Sequence, residues 1–273
     1  MSTQQIARNF GRSASHYDAH AQVQFQCASK LLAYMEANTR DLVDGAVLEV
    51  GCGTGIVSRG IAELFPDRAL EITDICDEMV ARCKMRLEAS GVVPWSAGVP
   101  PAEAGLRPHV RYSTVNIQSF QPDTRHAMVV AAFVLQWVEQ LSTALTNVET
   151  ALKPGGKLFF SVPTDGSFPE WKTICKRAGV AYTGNALPGV AEFRSFAADA
   201  GLRLSVYEET FPVHHQSLQQ FLISLKSIGA GTSLSPARLT IAETKRLLAS
   251  ARSSHPHSFT ATYKVLFGHF SKP

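Results

Sequence analysis

The segment EVGCGTG, residues 49–55, follows a short apolar run and precedes a stretch with helical periodicity. Glycines at such a junction let the backbone turn tightly and let a ligand lie against it. The spacing is ExGxGxG, whereas dinucleotide sites favour GxGxxG, in which the start of the helix cradles a pyrophosphate. The segment therefore predicts a ligand that contains a nucleoside and no diphosphate, bound by Glu49, Gly51, Cys52, Gly53 and Gly55.

Asp74 ends the second apolar run, where its carboxylate can accept hydrogen bonds from two ribose hydroxyls. An adenosine with a sulfonium and an amino-acid tail fits these residues, so the sequence favours S-adenosylmethionine over a dinucleotide or a glycine turn without a ligand. Asn116 and Ile117 end the third run and are expected to reach the adenine, although an ordinary turn also uses asparagine. Ile75 and Met79 can sandwich the adenine or pack in the core.

The elements that must position these residues follow from hydrophobic periodicity. Seven short apolar runs alternate with helical patterns, and we interpret them as strands: AVLEV, ALEITDI, HVRYSTVNI, HAMVVAAFVLQ, GKLFFSVP, RLSVYEETF and SFTATYKVLFGHF. Such alternation predicts an α/β fold with a mostly parallel seven-stranded sheet and helices on both faces. Ser142 is a candidate N-cap for the helix that precedes the fifth strand, and residues 153–156, KPGG, are expected to end that helix.

Composition narrows the class of protein further. The 273 residues are 45% apolar and 18% charged, which excludes a disordered chain, a collagen-like repeat and a coiled coil. No apolar run approaches the ~20 residues of a membrane span, and the polar start lacks a signal-peptide core, so we expect a cytoplasmic protein with no membrane partner. None of the five cysteines forms a CxxC pair and the histidines lack metal-ligand spacing, so no metal is expected.

Charge is distributed unevenly along the chain. Residues 214–273 hold seven basic residues and one acidic residue, a net charge of +6, although the whole chain carries only +3. This asymmetry indicates an acidic partner, and a solvated basic surface is the alternative. The absence of an NPPY-type motif and of a dense basic run argues against a nucleic acid.

Several segments resemble one enzyme family. The glycine loop resembles motif I of the class I methyltransferases, which have a Rossmann-like fold. More specific segments resemble the malonyl-acyl carrier protein O-methyltransferase family of biotin synthesis: FGRSASHYDAHAQVQ at 10–24, QWVEQLSTAL at 136–145, DGSFPEW at 165–171, SLKSIGA at 224–230 and TYKVLFG at 262–268. The resemblance extends from about residue 5 to residue 270. The sequence departs from the wider superfamily at Asn116, where aspartate is common, and in a long insertion at 91–108.

The resemblance implies a domain layout and a reaction. Residues 1–40 would form an N-terminal helical lid, 41–213 the cofactor-binding core with the surface insertion 91–108, 214–256 a helical lid insertion, and 257–273 the last strand. The free carboxylate of malonyl-acyl carrier protein, an acidic protein partner, would take a methyl group from S-adenosylmethionine. The products would be S-adenosylhomocysteine and the malonyl methyl ester that primes the pimeloyl chain of biotin.

A malonate carboxylate is already ionised at neutral pH, so the transfer needs positioning residues and no general base. Tyr17 and Lys226 are the candidates for positioning the carboxylate, and Arg12 is a candidate partner for the cofactor carboxylate. The candidates for contacting the rest of the substrate lie in the family-specific segments, namely Phe10, Gln136, Trp137 and Tyr263. For each of these side chains, packing in the core or solvation at the surface is the alternative.

Two other functions remain open from the residues alone. The chain could methylate another small acid or a quinone precursor, or it could bind the cofactor without catalysis as a subunit of a partner. The sequence specifies no oligomeric state.

Overall fold

The computed structural model describes residues 3–92, 109–231 and 238–273. The predicted insertion at 91–108 lies outside these residues except for its first two positions. The helices within the described residues are α1 (Thr3–Ser13), α2 (Tyr17–His20), α3 (Gln22–Ala37), α4 (Ile56–Leu64), α5 (Asp77–Ala89), α6 (Leu141–Ala151), α7 (Pro169–Ala178), α8 (Val190–Asp199), α9 (Leu218–Ser227) and α10 (Ile241–Ser254). No described helix is long and apolar enough to cross a membrane.

Seven strands form one sheet, as the sequence predicts: β1 (Val47–Val50), β2 (Leu70–Asp74), β3 (Val110–Thr114), β4 (His126–Ala132), β5 (Leu152–Pro163), β6 (Arg203–His215) and β7 (Phe259–Ser271). Their order is β3-β2-β1-β4-β5-β7-β6, and β1 pairs in parallel with both β2 and β4. The chain moves outward from β1 to β2 and β3 and then returns to place β4 on the other side. In parallel α/β sheets, ligands bind beyond the carboxyl ends of the strands at such a reversal. The glycine loop follows β1 at that point.

Of two local predictions near the fifth strand, one is wrong. Helix α6 begins at Leu141 and is flanked by Gln140, which makes no side-chain capping bond, so Ser142 lies within the first turn and is not the N-cap. The helix ends at Ala151, just before residues 153–156, as predicted. These four residues nevertheless lie inside β5, where the register against β4 shifts between His126 and Met128. A bulge absorbs the proline and the two glycines of this segment, since a bulge leaves residues unpaired and accepts a positive φ.

The chain divides into two compact units. The first, which we call the glycine-loop unit, comprises Gln24–Val162, Val190–Tyr207 and Leu266–Pro273. Its core is apolar: the rings of Phe160 and Phe193 stack with centroids 5.0 Å apart, and Phe270 lies 5.4 Å from Phe160. Stacked aromatic pairs of this kind add to the stability that burial itself provides.

The second unit, which we call the aromatic unit, comprises Met1–Val23, Pro163–Gly189 and Glu208–Val265. The ring centroid of Phe168 lies 4.6 Å from that of Tyr263 and 5.4 Å from that of Phe221. Two family-specific segments interlock there: the Lys264 N–H donates to Ser167 Oγ at 2.9 Å, and the Phe168 N–H donates to Thr262 O at 2.7 Å. The segments DGSFPEW and TYKVLFG therefore have a structural role in holding this unit together.

Candidate cofactor site at the end of the first strand

The glycine loop is fixed by the neighbouring strand. The backbone N–H groups of Gly51 and Cys52 both donate to Thr73 O, at 2.8 and 2.9 Å. Gly51, Gly53 and Gly55 have φ values of 74°, 53° and 85°. A left-handed backbone at three alternate positions explains the ExGxGxG spacing, because glycine adopts it without the cost that a β-carbon brings.

The three glycines differ in what a side chain would meet. A β-carbon on Gly51 would overlap a methyl group of Val134, and one on Gly55 would come within 3.0 Å of Cys83 Sγ. Glycine is thus required at these two positions by packing within the protein, in addition to the tight turn and the ligand approach that the sequence suggested. No described atom lies within 4 Å of a β-carbon built on Gly53, so this face of the loop is open. The open face is where a ligand can lie against the backbone.

Asp74 fastens the loop and the start of α5 together. Its Oδ2 accepts the Gly53 N–H at 2.8 Å and its Oδ1 accepts the Cys76 N–H at 3.0 Å. Burial raises the pKa of Asp74 to about 6, against the opposing effect of these backbone donors. Each carboxylate oxygen retains capacity to accept a further hydrogen bond, so the predicted contact with ribose hydroxyls is compatible with the observed bonds.

Glu49 is the most unusual acid of the site. It is only 2% exposed, and its Oε2 has no hydrogen-bond partner among the described residues. Burial raises the pKa of Glu49 to about 8, the negative charge of Asp74 acts in the same direction, and a hydrogen bond from Ser58 opposes both. A buried acceptor without a partner is costly, so a ligand that brings a cationic N–H donor would satisfy it. The sequence analysis did not identify Ser58 as a residue of the site. Its position in the first turn of α4, directly after the glycine loop, was the signal that could have indicated it.

Of the four residues expected near the adenine, Ile75 follows β2, Met79 lies in the first turn of α5, and Asn116 and Ile117 follow β3. Met79 is 1% exposed and Ile75 is half-buried, which leaves Ile75 as the more accessible apolar surface. Asn116 Oδ1 accepts the Gln118 N–H at 3.0 Å, so the side chain forms a local turn. Ile117 is buried and belongs to the core of the glycine-loop unit. Their contact with adenine stays a prediction.

A short 3-10 helix, Leu135–Trp137, follows β4 and carries the two predicted substrate residues of this unit. Gln136 Nε2 donates to Phe133 O at 2.7 Å, and Phe133 holds a φ of 55°, which is uncommon for a bulky residue. Gln136 Oε1 is buried without a partner among the described residues, while Trp137 is half-buried. Gln136 therefore offers a second unsatisfied acceptor for a ligand donor. The sequence identified Gln136 as a candidate substrate residue but could not show that its side-chain oxygen is buried without a partner in the described part of the chain.

The other predicted residues belong to the aromatic unit. Phe10 lies against Gly229, where a β-carbon would come within 2.9 Å of the Phe10 ring, so the N-terminal segment and the LKSIGA segment meet. Tyr17 is half-buried, whereas Arg12 and Lys226 are exposed. Tyr263 is 8% exposed and its ring packs on Phe168. The structure gives Tyr263 a clear packing role.

The donor and acceptor set of the glycine loop fits S-adenosylmethionine. Its amino-acid tail and ribose carry N–H and O–H donors, and the loop supplies buried oxygens that lack them, at Glu49 in particular. Within residues 3–92, 109–231 and 238–273, no group of three or more histidine, cysteine or acidic side chains could hold a metal.

The fold and the loop define a class, the Rossmann-like proteins with a class I methyltransferase topology. Residues 17–205 match the family described as "Methyltransferase domain", and the chain belongs to that family. It is similar to a malonyl-acyl-carrier protein O-methyltransferase of Magnetococcus marinus, with 29% identity over 98% of this chain and 92% of the relative. The predicted fold class and the resemblance to this enzyme family are confirmed.

Two solved structures share the fold. The YcgJ protein of Bacillus subtilis has a TM-score of 0.61 and 13% identity, over 89% of this chain and 98% of that one. Magnesium protoporphyrin IX methyltransferase of Synechocystis PCC 6803, crystallised with bound SAH, has a TM-score of 0.54 and 15% identity, over 93% of this chain and 86% of that one. At these identities the likeness extends to the fold alone.

Gly53 provides a test of the open face of the loop. We expect Gly53→Ala to weaken S-adenosylmethionine binding at least tenfold, about 1.4 kcal/mol, because the new methyl group enters the open space. Gly201→Ala is a matched control, since Gly201 has a φ of 64° and a β-carbon there also meets no described atom within 4 Å. Both substitutions impose similar backbone strain, and titration calorimetry should show weakened binding only for Gly53→Ala. Equal affinity of the two variants would mean that the ligand lies elsewhere.

Proposed function

We propose that this protein transfers a methyl group from S-adenosylmethionine to the free carboxylate of malonyl-acyl carrier protein. The product is the malonyl methyl ester that primes pimeloyl synthesis for biotin. The observation that carries the proposal is the extent of the match to the Magnetococcus marinus relative, which covers 98% of the chain. The match therefore includes segments beyond residues 17–205, the part that matches the general methyltransferase domain.

S-adenosylmethionine supplies a methyl group on a sulfonium. On the side of the protein, Asp74 accepts from the ribose hydroxyls, the open backbone at Gly53 lets the ligand approach, and Glu49 accepts from the ammonium of the amino-acid tail. Binding at Glu49 provides the donor that its buried Oε2 lacks. Ile75 and Met79 contact the adenine, and Cys52 contributes backbone to the loop.

The nucleophile needs no general base from the protein. A malonate carboxylate is ionised near neutral pH, so the protein accelerates the transfer by positioning and by excluding water. Gln136 Oε1 is suited to accept an N–H of the pantetheine arm, since it is buried and lacks a partner among the described residues. Trp137, beside it, would supply an apolar contact to the same arm.

Tyr17 and Lys226 position the malonyl carboxylate in this proposal, Arg12 pairs with the cofactor carboxylate, and Phe10 and Tyr263 contact the substrate. Selection of malonyl over acetyl in this proposal depends on how Lys226 meets the carboxylate. Lys226 is exposed. It therefore avoids the desolvation cost of a buried unpaired charge, and its contribution to selectivity has to come from attraction to the carboxylate alone.

The predicted domain layout stays a prediction. It has lids at residues 1–40 and 214–256, a cofactor-binding core at 41–213 and a last strand at 257–273. Residence in the cytoplasm also stays a prediction.

A mass measurement tests the function directly. Incubation of malonyl-acyl carrier protein with S-adenosylmethionine and the enzyme should increase the carrier mass by about 14 Da, the mass of one CH₂ in covalent chemistry. Acetyl-acyl carrier protein should stay unchanged because it has no free carboxylate. Lys226→Ala should lose turnover and keep its cofactor affinity. Unchanged malonyl-carrier mass, with methylation of a quinone precursor or another small acid under the same conditions, would contradict the proposal.

A further inference from the structure

Helix α10 presents one continuous exposed face. Ile241, Lys245, Ala249 and Arg252 recur at spacings of four, four and three residues, which places them on the same side of the helix. All four are exposed, and Arg246 is exposed beside them. We call these five residues the basic face of α10.

The opposite side of the helix is anchored. Leu247 and Ala251 are 2% and 5% exposed, and α10 packs on α7 and α9 within the aromatic unit. The helix is therefore held by its inner side, and the basic face is directed outward. A docking surface needs such a fixed support, because ordering a mobile segment on binding costs affinity.

The single acid in residues 214–273, Glu243, is engaged at the start of the same helix. Its Oε2 accepts the Thr240 N–H at 2.8 Å, and Thr240 Oγ accepts the Glu243 N–H at 3.2 Å, which together form a capping box. The backbone donor of Thr240 lowers the pKa of Glu243 from its ordinary value. The same carboxylate also pairs with Arg246, whose Nη2 lies 4.0 Å from Glu243 Oε1. Among the described residues, Lys245 and Arg252 form no ion pair, so these two cations remain available to a partner.

The basic face also has an apolar contact point. Ile241 is 79% exposed, more than the other large apolar side chains of the described residues that reach the surface. Ala242 is small and exposed next to it, and Ala249 is small and exposed about two turns farther along the helix, which lets another helix approach closely. An exposed isoleucine one turn from Lys245 suits a partner that has acidic and apolar side chains together, as at the centre and rim of a protein interface.

We propose that the basic face of α10 docks an acidic helix of the acyl carrier protein, with Lys245 and Arg252 meeting its carboxylates and Ile241 meeting an apolar side chain. The inference rests on the proposed function, since it assigns the surface that recognises the protein part of that substrate. A protein fits better than a nucleic acid, because the face has no aromatic side chain for stacking on bases and the chain carries only +3 overall.

The test compares two substrates that differ only in the carrier. In the variant Lys245→Glu with Arg252→Gln, kcat/KM for malonyl-acyl carrier protein should fall about tenfold at low salt, mainly through slower association. The value for malonyl-pantetheine should stay within twofold, because this substrate has no carrier protein to dock. High salt should remove most of the difference between variant and wild type, since exposed charges are screened beyond ~10 Å at 0.1 M.

A matched control carries the same change of charge elsewhere. Arg59 and Lys84 are exposed on α4 and α5 of the glycine-loop unit, so Lys84→Glu with Arg59→Gln should leave kcat/KM for the carrier substrate within twofold. Ile241→Ser tests the apolar contact independently of charge. It should lower kcat/KM for the carrier substrate about threefold at both low and high salt.

The outcomes separate the docking surface from the reaction. An equal fall for both substrates, or a fall in the control equal to that in the α10 variant, would overturn the docking surface and leave the reaction intact. If the wild type methylates neither substrate, the proposed function fails, and binding of the carrier protein to wild type and variant by surface plasmon resonance still tests the surface. Duplex DNA that binds as tightly as the carrier, with the same loss in the variant, would also overturn it.

Discussion

Asp74→Ala is expected to weaken S-adenosylmethionine binding at least a hundredfold, about 2.7 kcal/mol. The carboxylate would accept two ribose hydroxyls, and hydrogen bonds to charged groups contribute about 1.5–3 kcal/mol each. The substitution also removes the acceptor of the Gly53 and Cys76 N–H groups, so the glycine loop loses its attachment to α5. Titration calorimetry measures the affinity, and thermal unfolding measures the cost to the fold.

Glu71→Gln is the matched control for that experiment. Glu71 lies on the same strand as Asp74, and its Oε2 lies 3.0 Å from Nε2 of the buried His126. Weakening this pair should lower the Tm while S-adenosylmethionine affinity stays within threefold, because Glu71 lies toward the opposite end of β2. Should both variants lose affinity in proportion to their loss of stability, Asp74 would be a structural residue and no ligand contact.

The strands and the loop were predictable because both depend on local sequence. A run such as HAMVVAAFVLQ is dominated by apolar residues, which favours a strand buried on both faces of a parallel sheet. A left-handed backbone at Gly51 and Gly55 leaves few alternatives to glycine. The segment KPGG follows the end of α6, as predicted. Its inclusion in β5 could not be predicted, because proline and glycine indicate a break and only the pairing with β4 shows that they form a bulge within the strand.

The unpredicted parts of the site depend on contacts between distant residues. No spacing in the sequence indicates that Val134 fills the volume beside Gly51, or that Gln136 and Phe133 share a hydrogen bond beyond β4. The family-specific segments show the same limit. The resemblance suggested a substrate contact for Tyr263 of TYKVLFG, which stays a prediction. It did not indicate that this segment is joined to DGSFPEW by the Lys264 N–H bond to Ser167 Oγ and by the Phe168 N–H bond to Thr262 O.

Affinity for S-adenosylmethionine is expected to rise with pH between about 6.5 and 7.5. Burial raises the pKa of Glu49 to about 8 in the free protein, so the side chain is largely protonated across this range. A cationic tail binds the ionised carboxylate better, and binding therefore has to release a proton. The Kd should fall several-fold per pH unit over this window, and calorimetry in buffers of different ionisation enthalpy should detect proton release.

Glu49→Gln isolates this effect from the titration of the ligand itself, whose α-amino group ionises near 7.7–8.0. The variant should bind about tenfold more weakly at pH 7.5, with a Kd that stays nearly constant from 6.5 to 7.5.

The raised pKa of Glu49 also makes the stability of the ligand-free protein depend on pH. The protonated side chain stabilises the wild type at low pH, and this stability is lost as pH rises through about 8. Glu49→Gln should remove this loss, so its Tm relative to wild type should be higher at pH 8.5 than at pH 6. A wild-type Kd that is independent of pH would contradict this prediction. It would show either that Glu49 is already ionised in the free protein or that Glu49 does not contact the ligand. An equal Tm difference between variant and wild type at the two pH values would indicate that Glu49 is already ionised.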